Sequence, residues 1–457
     1  MSLADDITFV RGELATPQPP PGLAVGPVAW IRANLFSGPL NTVLTLCGIA
    51  LLALIVPPLM RFLFIDAVWQ GTSREACLGP QVGACWPFIQ AKFGQFIYGF
   101  YPIDQRWRVD IVFVAGALLL LPLMVPSWPQ KRLSSFLFFF VYPVVAFVLL
   151  TGGNIDASAF FLERFGLIQP LVGDATLFGL KIAMWLDFLL TTALAVAIAW
   201  GLSRLVGGEG SGAATTVFWV FAGLGVIMLA WDIDFGLVPV ETRSWGGLLV
   251  TLVIAVTGIV ASLPLGIALA LGRRSQMPVV RMLSVIFIEF WRGVPLITVL
   301  FFATYMLPLF LPTGMSPDGL LRALVGVALF TAAYIAEVVR GGLQAIPKGQ
   351  YEGGMAVGLT WWQMMRLVVL PQALTMVIPG IVNSFISLFK DTTLVLIVSI
   401  FDFLGQLRAA FTDPNWATPV TLYTGFAFAG IVYFVFCFGM SRYSLFVERR
   451  LNTSRRH

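Results

Sequence analysis

Long runs of apolar residues recur along this chain, and they constrain its fold more than any other feature. Solid runs occupy residues 111–125, 136–150, 182–202 and 248–271. Their lengths are near the roughly 20 residues that an α-helix needs to cross a lipid bilayer. The strands of a membrane β-barrel would instead show short segments of alternating apolar and polar residues. The pattern therefore predicts an all-α, polytopic membrane protein.

The low charge of the chain supports a membrane protein over a soluble one. Of 457 residues, 58% are hydrophobic and only 11% are charged, whereas a soluble domain carries about 25% charged residues. The net charge of +5 raises the possibility of nucleic-acid binding. However, the basic residues lie in short loops and in the C-terminal tail, without a stripe of interleaved aromatics. This distribution favours positive residues on the cytoplasmic side of a membrane and predicts no nucleic-acid partner.

We predict about ten transmembrane helices. They lie near 39–62, 109–127, 134–151, 181–203, 214–231, 246–271, 283–311, 320–340, 373–400 and 419–442. An even number places both termini on one side, and the compact basic loops put that side in the cytoplasm. The stretch 152–180 is the hardest to interpret. It is either a loop with a surface helix or a re-entrant segment.

Polarity divides the chain into four regions. Residues 1–38 are polar with a Pro-rich run, and we interpret them as a disordered cytoplasmic tail, not a cleaved secretion signal. Residues 39–245 form an accessory membrane region of about five helices with few polar residues inside them. Residues 246–445 hold five more helices and a long polar cytoplasmic loop at 341–372, and residues 446–457 form a basic cytoplasmic tail.

Two of the four cysteines flank a turn-rich polar loop. Cys77 and Cys85 enclose this loop, and the predicted topology places it outside the cytoplasm. Disulfides form and persist in oxidising compartments of that kind. We therefore expect a Cys77–Cys85 disulfide, with two free thiols as the alternative.

The polar loop at 341–372 has the pattern of two short helices joined at a glycine. Pro347 suits the first turn of a helix, where its missing N–H costs nothing. Gly358 suits the left-handed position that ends a helix, and Thr360 with Gln363 forms a capping box for a second helix. Pro371 is expected to close that second helix before the next span. A structured cytoplasmic loop of this size suggests a docking surface for another protein.

This loop resembles the EAA loop of ABC importer permeases. The family pattern is Glu-Ala-Ala, three residues, Gly, nine residues, and Ile-x-Leu-Pro. The segments Glu352-Gly353-Gly354, Gly358 and Val368-Val369-Leu370-Pro371 keep this spacing, with two glycines for the alanines and valine for the isoleucine. Each added glycine is expected to cost about 1 kcal/mol of helix stability. The residues that match or surround the motif are Tyr351, Glu352, Gly353, Gly354, Met355, Gly358, Leu370 and Pro371.

The resemblance implies a role and partners for this loop. In that family the first loop helix sits in a groove of the ATPase subunit and transmits its closure, which assigns those contacts to Glu352 and Gly358. The implied fold is a C-terminal five-helix permease core. The implied assembly holds two copies of an ATP-binding cassette subunit, a second permease chain in a heterodimer, and a periplasmic amino acid-binding protein, all in the lipid bilayer of a bacterial inner membrane.

Two further stretches narrow the resemblance. Residues 289–296 and 387–394 are similar to signatures of polar amino acid permeases of the histidine, glutamine and general L-amino acid group. The longer N-terminal half, with Gly-Ala-Cys-Trp at 83–86, resembles the general L-amino acid type or the glutamate/glutamine/aspartate/asparagine type. Chains of this kind imply import of polar L-amino acids by alternating access.

An enzymatic activity on this chain is not expected. The phosphate-binding loop G-x-x-x-x-G-K-S/T is missing from the sequence, so we expect ATP and Mg on the partner ATPase and no cofactor on this chain. The single histidine is His457, and neither a metal cluster nor a nucleophile–base pair is visible.

Polar residues inside the ninth predicted helix mark a candidate translocation path. Lys390 and Asp391 interrupt an apolar run, and charges within a membrane usually face a partner or a water-filled path. A zwitterionic amino acid needs donors for its carboxylate and acceptors for its ammonium group, which such residues supply. The alternative is a salt bridge that fixes helix packing or the partner interface. The candidate residues are Asn383, Ser384, Ser387, Lys390, Asp391 and Thr392.

A second candidate is a gate or interface at the start of the seventh predicted span. Glu289 and Arg292 lie one turn apart just before Pro295, which predicts a short interfacial helix, a break and then the span. The alternative is simple anchoring at the membrane interface. Glu337 and Arg340, an i, i+3 pair, are interpreted as surface ionic residues with little functional weight.

Two other classes of function remain as alternatives at this point. An ion-coupled secondary amino acid transporter would need an acidic ion site inside a helix, such as Asp391 or Asp187. It would not need a structured loop at 341–372. A membrane assembly or scaffold protein without transport is the third class.

Overall fold

The computed structural model describes residues 26–153, 162, 167–173, 176–177, 180–205, 211–232, 235–311 and 317–453, and this part is predominantly helical. Its α-helices are α1 (Pro27–Asn34), α2 (Pro39–Met60), α3 (Trp86–Tyr98), α4 (Arg106–Met124), α5 (Lys131–Phe136), α6 (Tyr142–Thr151), α7 (Gln169–Val172), α8 (Ile182–Leu205), α9 (Ser211–Asp232), α10 (Gly247–Arg273), α11 (Pro278–Gly293), α12 (Leu296–Phe301), α13 (Leu307–Phe310), α14 (Gly319–Ala345), α15 (Lys348–Ala356), α16 (Trp361–Met364), α17 (Leu370–Asp391), α18 (Phe403–Ala410) and α19 (Thr421–Thr453).

Shorter elements complete the described part. π-Helical turns cover Arg61–Ile65, Leu137–Val141, Phe302–Met306 and Met365–Val369. 3-10 turns cover Arg74–Cys77, Ile103–Gln105, Thr242–Ser244 and Thr392–Val398. Strands β1 (Thr176–Leu177) and β2 (Leu180–Lys181) pair antiparallel, with Thr176 opposite Lys181.

The helices confirm a polytopic all-α membrane protein. In the described part, eight helices are long and apolar enough to cross a bilayer. A ninth span results if α11 and the helical segment Leu296–Phe310, which meet at an angle of 101°, are counted together. Helix α9 covers the remaining predicted span, although its apolar portion is the shorter stretch Ala214–Val226. Each of the ten predicted spans thus corresponds to a helix or to a bent pair.

The structure describes only parts of two segments that the sequence analysis treats as loops or tails, 1–38 and 152–180. The disordered tail predicted at 1–38 is wrong for its last part, because α1 is helical there and begins at Pro27, whose fixed φ suits a first turn. Residues 1–25 lie outside the described residues. Most of the stretch 152–180 also lies outside them, apart from α7, the two strands and a few neighbouring residues.

Contacts divide the chain into two compact units. The first comprises Met1–Pro87 and Thr418–Thr424, and the second comprises Phe88–Ala417 and Gly425–His457. In the first unit, α2 has no buried residue, as expected for a helix whose apolar surface meets lipid. A disulfide joins Cys77 to Cys85, with their Cα atoms 5.7 Å apart, and Trp69 stacks on Trp86 close by.

The second unit is built around α10, α14 and α17. Helix α14 packs against both α10 and α17, and α11 contacts α10 and α14. Small residues allow these close approaches, as in many membrane proteins. A Cβ atom at Gly266 would lie 2.6 Å from Ile335, and one at Gly342 would lie 2.7 Å from the Ala373 carbonyl oxygen. A cluster of buried apolar residues joins the ends of α10, α11 and α14 to the polar loop, through Met364, Met365 and Val369.

Candidate functional site: the polar loop and the charged cluster beside it

The loop after α14 folds as two short helices with a glycine between them. Helix α15 begins after Pro347 and ends at Ala356. Gly358 has φ +75°, and no atom lies within 4 Å of the position that its Cβ would take. Thr360 accepts a hydrogen bond from the Gln363 N–H, while the Gln363 side chain accepts one from the Thr360 N–H. The left-handed glycine and the capping box are therefore as predicted.

The prediction that Pro371 closes the second loop helix is wrong. Helix α16, the π-helical turn Met365–Val369 and α17 follow one another without a break, and they form a single helical segment that continues to Asp391. Pro371 occupies the first turn of α17, directly after this π turn, and a helix tolerates proline in its first turn. The second half of the loop is therefore the beginning of a membrane helix.

The two glycines that replace the alanines of the family pattern have different surroundings. Gly354 is buried, and a Cβ atom there would lie 2.9 Å from Met364 Cγ. Gly353 is exposed, with no atom within 4 Å of its Cβ position. The bulk of Met364 thus fills the space that an alanine methyl would take, which ties α15 to α16 in spite of the low helix propensity of glycine.

The outer surface of the loop combines one acid with large apolar side chains. Glu352 is exposed, as are Met355, Val357 and Trp362, the last at 67%. Trp361 and Trp362 meet edge to face at 4.6 Å. Exposed aromatic and Met side chains around a polar group are typical of a protein–protein contact.

Tyr351, also on α15, attaches the loop to the ends of α10 and α14. Its hydroxyl donates to the Leu343 carbonyl oxygen at 3.1 Å and accepts from Arg274 Nη1 at 2.8 Å. Arg274 Nη1 also donates to the Leu343 carbonyl oxygen at 2.9 Å. The guanidinium carbon of Arg274 lies 5.3 Å from the centroid of the Tyr351 ring.

Glu337 is the centre of a charged cluster. It lies on α14, six residues before Leu343. Its carboxylate accepts from Arg273 Nη1 at 2.7 Å and from Arg340 at 2.8 and 3.0 Å, and Arg292 Nη1 lies 3.5 Å away. Arg273 also contacts Glu289 at 3.0 Å. The side chain of Glu337 is only 15% exposed. The cluster therefore ties the ends of α10, α11 and α14 together.

This cluster changes two sequence interpretations. The predicted gate residues Glu289 and Arg292 both join this cluster, and Pro295 lies at the 101° bend between α11 and α12. The interpretation of Glu337 and Arg340 as surface ionic residues is wrong, because Glu337 is mostly buried and binds three arginines. The sequence does show an acid on α14 and basic residues near the ends of three helices. However, two of the arginines are 45 and 64 positions from Glu337 and the third is one turn away, so the spacing did not reveal that they meet.

The polar face of α17 is partly as predicted. Asn383, Ser387 and Lys390 are exposed and share one side of the helix, together with Met376 and Pro379. Asp391 is half-buried. No lipid tail can hydrogen-bond such groups, so this face requires another partner in a membrane.

Two of the predicted path residues do not join this face. Ser384 is half-buried, and its hydroxyl donates to the Gly380 carbonyl oxygen at 3.1 Å. Thr392 is only 1% exposed, and its hydroxyl donates to the Phe389 carbonyl oxygen. The chain tightens into a 3-10 turn at Thr392, which rotates its side chain inward. Thr392 therefore lies apart from the exposed polar face of α17, and its place in the path stays a prediction.

The Gly247 end of α10 has its own polar arrangement, which the sequence analysis did not identify. Asp402 is fully buried and begins α18, where it accepts hydrogen bonds from the N–H groups of Gly405 and Leu404 and from the Tyr433 hydroxyl. Burial raises the pKa of the Asp402 carboxyl to about 6, against these hydrogen bonds, which lower it. Gly247 pairs with Asp402 through the backbone.

Helix α3 packs on this same end. Phe88 and Phe96 on α3 contact the rings of Phe411 and Phe428. Lys92 on α3 forms an ion pair with Asp413, which holds the pKa of the Asp413 carboxyl below its usual range. The Gln95 side chain donates to the Gln406 side chain at 3.1 Å. With 13 residues α3 is too short to span a bilayer. The apolar runs that predict the membrane spans therefore do not predict α3.

Comparison with known proteins gives a consistent picture. Residues 262–453 match the family described as the inner membrane component of binding-protein-dependent transport systems. The inner membrane amino-acid ABC transporter permease protein YhdY of Escherichia coli is 42% identical over 94% of each chain. The glutamate/glutamine/aspartate/asparagine transport system permease protein BztC of Rhodobacter capsulatus is 43% identical over 99% of this chain and 100% of its own. The glutamate/aspartate import permease protein GltK of Escherichia coli is 36% identical over 96% of its length but only 47% of this chain.

Proposed function

Since this chain belongs to the family of inner membrane amino-acid ABC transporter permeases, we propose that it is the membrane-spanning subunit of an ATP-driven importer of polar L-amino acids. The observation that carries the proposal is the polar loop. It has the spacing of a coupling loop, exposes Glu352 beside large apolar side chains, and is continuous with α17. A loop of this design suits the transfer of motion from another protein into the membrane.

The proposed assembly has two ATP-binding cassette subunits, which hold ATP and Mg, and a second permease chain that forms a heterodimer with this one. A periplasmic binding protein delivers the amino acid. The chain lies in the bacterial inner membrane with both termini in the cytoplasm, which puts the polar loop on the ATPase side. The names of the full-length relatives support amino acids as the transported class.

Alternating access follows from this arrangement. ATP binding closes the two ATPase subunits, and their closure displaces α15 and α16. Because α16 continues through the π turn into α17, displacement of the loop tilts the helix that carries Asn383, Ser387 and Lys390. The path then opens toward the loaded binding protein, and hydrolysis returns it to the cytoplasmic side.

Gly358 offers a sharp test of the docking role. Any other residue there is strained by the left-handed backbone, at a cost of about 1–2 kcal/mol. The space around its Cβ position is empty within this chain, so Gly358→Ala and Gly358→Trp carry the same strain and differ mainly in the bulk offered to a docked subunit. We expect Gly358→Trp to release the ATPase subunit from the purified complex and to abolish uptake. Gly358→Ala should retain most of both.

Glu352→Arg reverses the exposed charge of the same surface. We expect it to uncouple amino acid uptake from ATP hydrolysis, or to prevent ATPase binding, at unchanged expression. Normal transport by a well-expressed Gly358→Trp variant would contradict the proposal. So would uptake that continues without any ATPase subunit under an ion gradient, since this would indicate an ion-coupled secondary transporter.

The polar face of α17 is the proposed lining of the path. Lys390 offers a donor for a carboxylate, Asn383 offers both a donor and an acceptor, and Asp391 offers an acceptor for an ammonium group. We expect Asn383→Ala and Asp391→Ala to lower uptake while the complex still assembles. Wild-type uptake rates in both variants would remove these residues from the path and leave them a role in packing.

A further inference from the structure

Arg274 connects the end of α10 with the end of α14 and with the first half of α15. It follows the last residue of α10, and its Nη1 lies 2.9 Å from the Leu343 carbonyl oxygen of α14 and 2.8 Å from the Tyr351 hydroxyl of α15. Tyr351 closes the triangle with its own hydrogen bond to the Leu343 carbonyl oxygen. We call these three residues the junction.

The junction supplies hydrogen-bond donors to a carbonyl group at the end of α14. The last four carbonyl groups of a helix lack partners within that helix, and Leu343 lies in the last turn of α14. A cation there also interacts favourably with the helix dipole. Because one of the two donors comes from α10 and the other from α15, the bonding that completes α14 also ties the loop to both membrane helices.

The other main contacts of α15 are with α16, the π-helical turn and α17. This helix packs mainly against the π-helical turn and α16, and the Gln350 side chain accepts a hydrogen bond from Gln372 on α17. Those contacts lead into α17. The polar contacts of α15 with α10 and α14 in the described part of the chain pass through Tyr351.

We propose that Arg274 is a positioning residue for energy coupling, which makes motion of α15 move α10 and α14 together with α17. This inference rests on the proposed function. Without the junction, closure of the ATPase subunits would still displace α17 through its continuous helix, but α10 and α14 would follow only through the short link Ile346–Pro347 and their packing against each other and α17. ATP would then be hydrolysed in cycles that import no amino acid.

The test uses the complete transporter, purified through a tag on this chain and reconstituted in proteoliposomes. The measured quantity is the number of ATP molecules hydrolysed per amino acid imported, with a radiolabelled mixture of polar L-amino acids as the probe. The amount of co-purified ATPase subunit reports docking separately. The variants are Arg274→Met, Arg274→Lys and Tyr351→Phe, with Arg281→Met as the control, since Arg281 is an exposed arginine on the neighbouring α11.

We expect Arg274→Met to raise the ATP cost per imported amino acid roughly three- to tenfold, the range that the loss of one to two hydrogen bonds allows, while docking is unchanged. Tyr351→Phe keeps the ring and its packing but removes both hydroxyl bonds, so it should act in the same direction with a smaller effect. Arg274→Lys should retain part of the coupling, since lysine keeps the positive charge and three donors. Combining Arg274→Met with Tyr351→Phe should add little.

Several results would overturn the inference. One is an unchanged ATP cost in both Arg274→Met and Tyr351→Phe with docking intact. Another is loss of docking at unchanged cost, which would make the junction a docking element only. An equal rise in Arg281→Met would assign the effect to surface charge. If Arg274→Met fails to assemble, Tyr351→Phe alone decides. Absence of an ATPase subunit from the wild-type complex would instead refute the proposed function.

Discussion

The two ends of α10 are held by different kinds of interaction. At the Arg273 end, the mostly buried Glu337 pairs at 2.7 to 3.5 Å with three arginines whose side chains are 25% to 37% exposed. At the Gly247 end, Asp402 is fully buried with neutral donors, and backbone meets backbone. Partly hydrated ion pairs exchange partners at low net cost, whereas the hydrogen bonds of a buried carboxyl group must break before anything moves. The comparison indicates that contacts at the Arg273 end can rearrange during a conformational change, whereas those at the Gly247 end stay fixed.

The largest effect is expected at Gly247. Its φ is +65°, and a Cβ atom there would lie 2.3 Å from the Phe96 carbonyl oxygen. Gly247→Ala should therefore cost more than about 3 kcal/mol, the range of strain and overpacking combined, and lower the thermal unfolding midpoint of the purified chain. Gly236→Ala is a matched control, with φ +66° and no atom within 4 Å of its Cβ position. Equal shifts in the two variants would show that the close backbone contact contributes nothing.

A smaller loss is expected at the other end, from Glu337→Gln. The change leaves three arginines around a neutral amide, which should destabilise the fold by about 2 kcal/mol, less than a fully buried pair would lose. Glu289→Gln removes an acid that is 54% exposed and forms an ion pair with Arg273, so its cost should stay below about 1 kcal/mol. Thermal unfolding of both variants measures the difference. If Glu289→Gln proves the more damaging, Glu337 is not the centre of the cluster.

The pH dependence of stability sharpens the comparison at Asp402. Because its pKa is raised to about 6, the folded chain binds this proton more tightly than the unfolded chain. Its contribution is complete below the ordinary pKa of an aspartate and is lost as the pH rises through about 6. We expect a loss of about 1 kcal/mol from this group between about pH 5 and pH 7.

Asp402→Asn should remove that slope. Asparagine begins helices as well as aspartate does, so the start of α18 is preserved. Thermal unfolding across this pH interval compares the variant with the wild type. An unchanged slope in Asp402→Asn would mean that the carboxyl is not the group that titrates.

The smallest effect is expected for Lys92→Gln. The Lys92–Asp413 pair is about one-fifth exposed at each side chain, and its loss should cost about 0.5–1 kcal/mol. Since Lys92 lowers the pKa of Asp413, the pair stabilises the fold above the ordinary pKa of aspartate and loses this effect as the pH falls. The difference between variant and wild type should shrink in high salt. A salt-independent difference would assign Lys92 a packing role instead.

Local signals in the sequence predicted local structure well. The apolar runs located the membrane helices, and Gly358 and Thr360 located the end of one loop helix and the start of the next. Each of these signals acts within a few residues, through burial, backbone conformation or capping. The continuity at Pro371 was missed because proline usually interrupts a helix, and the sequence gives no sign of the π turn that precedes it here.

The interactions between distant residues could not be predicted in the same way. Arg274 and Tyr351 are 77 positions apart, and Arg273 and Glu337 are 64 apart. Positive residues at helix ends are expected from topology alone, so their sequence gives no sign of which acid or hydroxyl they meet. Only the packing of α10 against α14 brings them together.

The π turn at Met365–Val369 has a consequence for the rotational phase of α17. Such a turn holds one residue more than a regular α-turn, and each residue of an α-helix advances the side chains by about 100°. Conversion of that turn to regular α winding with an unchanged number of residues would rotate everything beyond it by about that angle. Asn383, Ser387 and Lys390 would then leave the side they now occupy, so the direction in which these groups point is set about twenty residues earlier, near the beginning of the same helical segment.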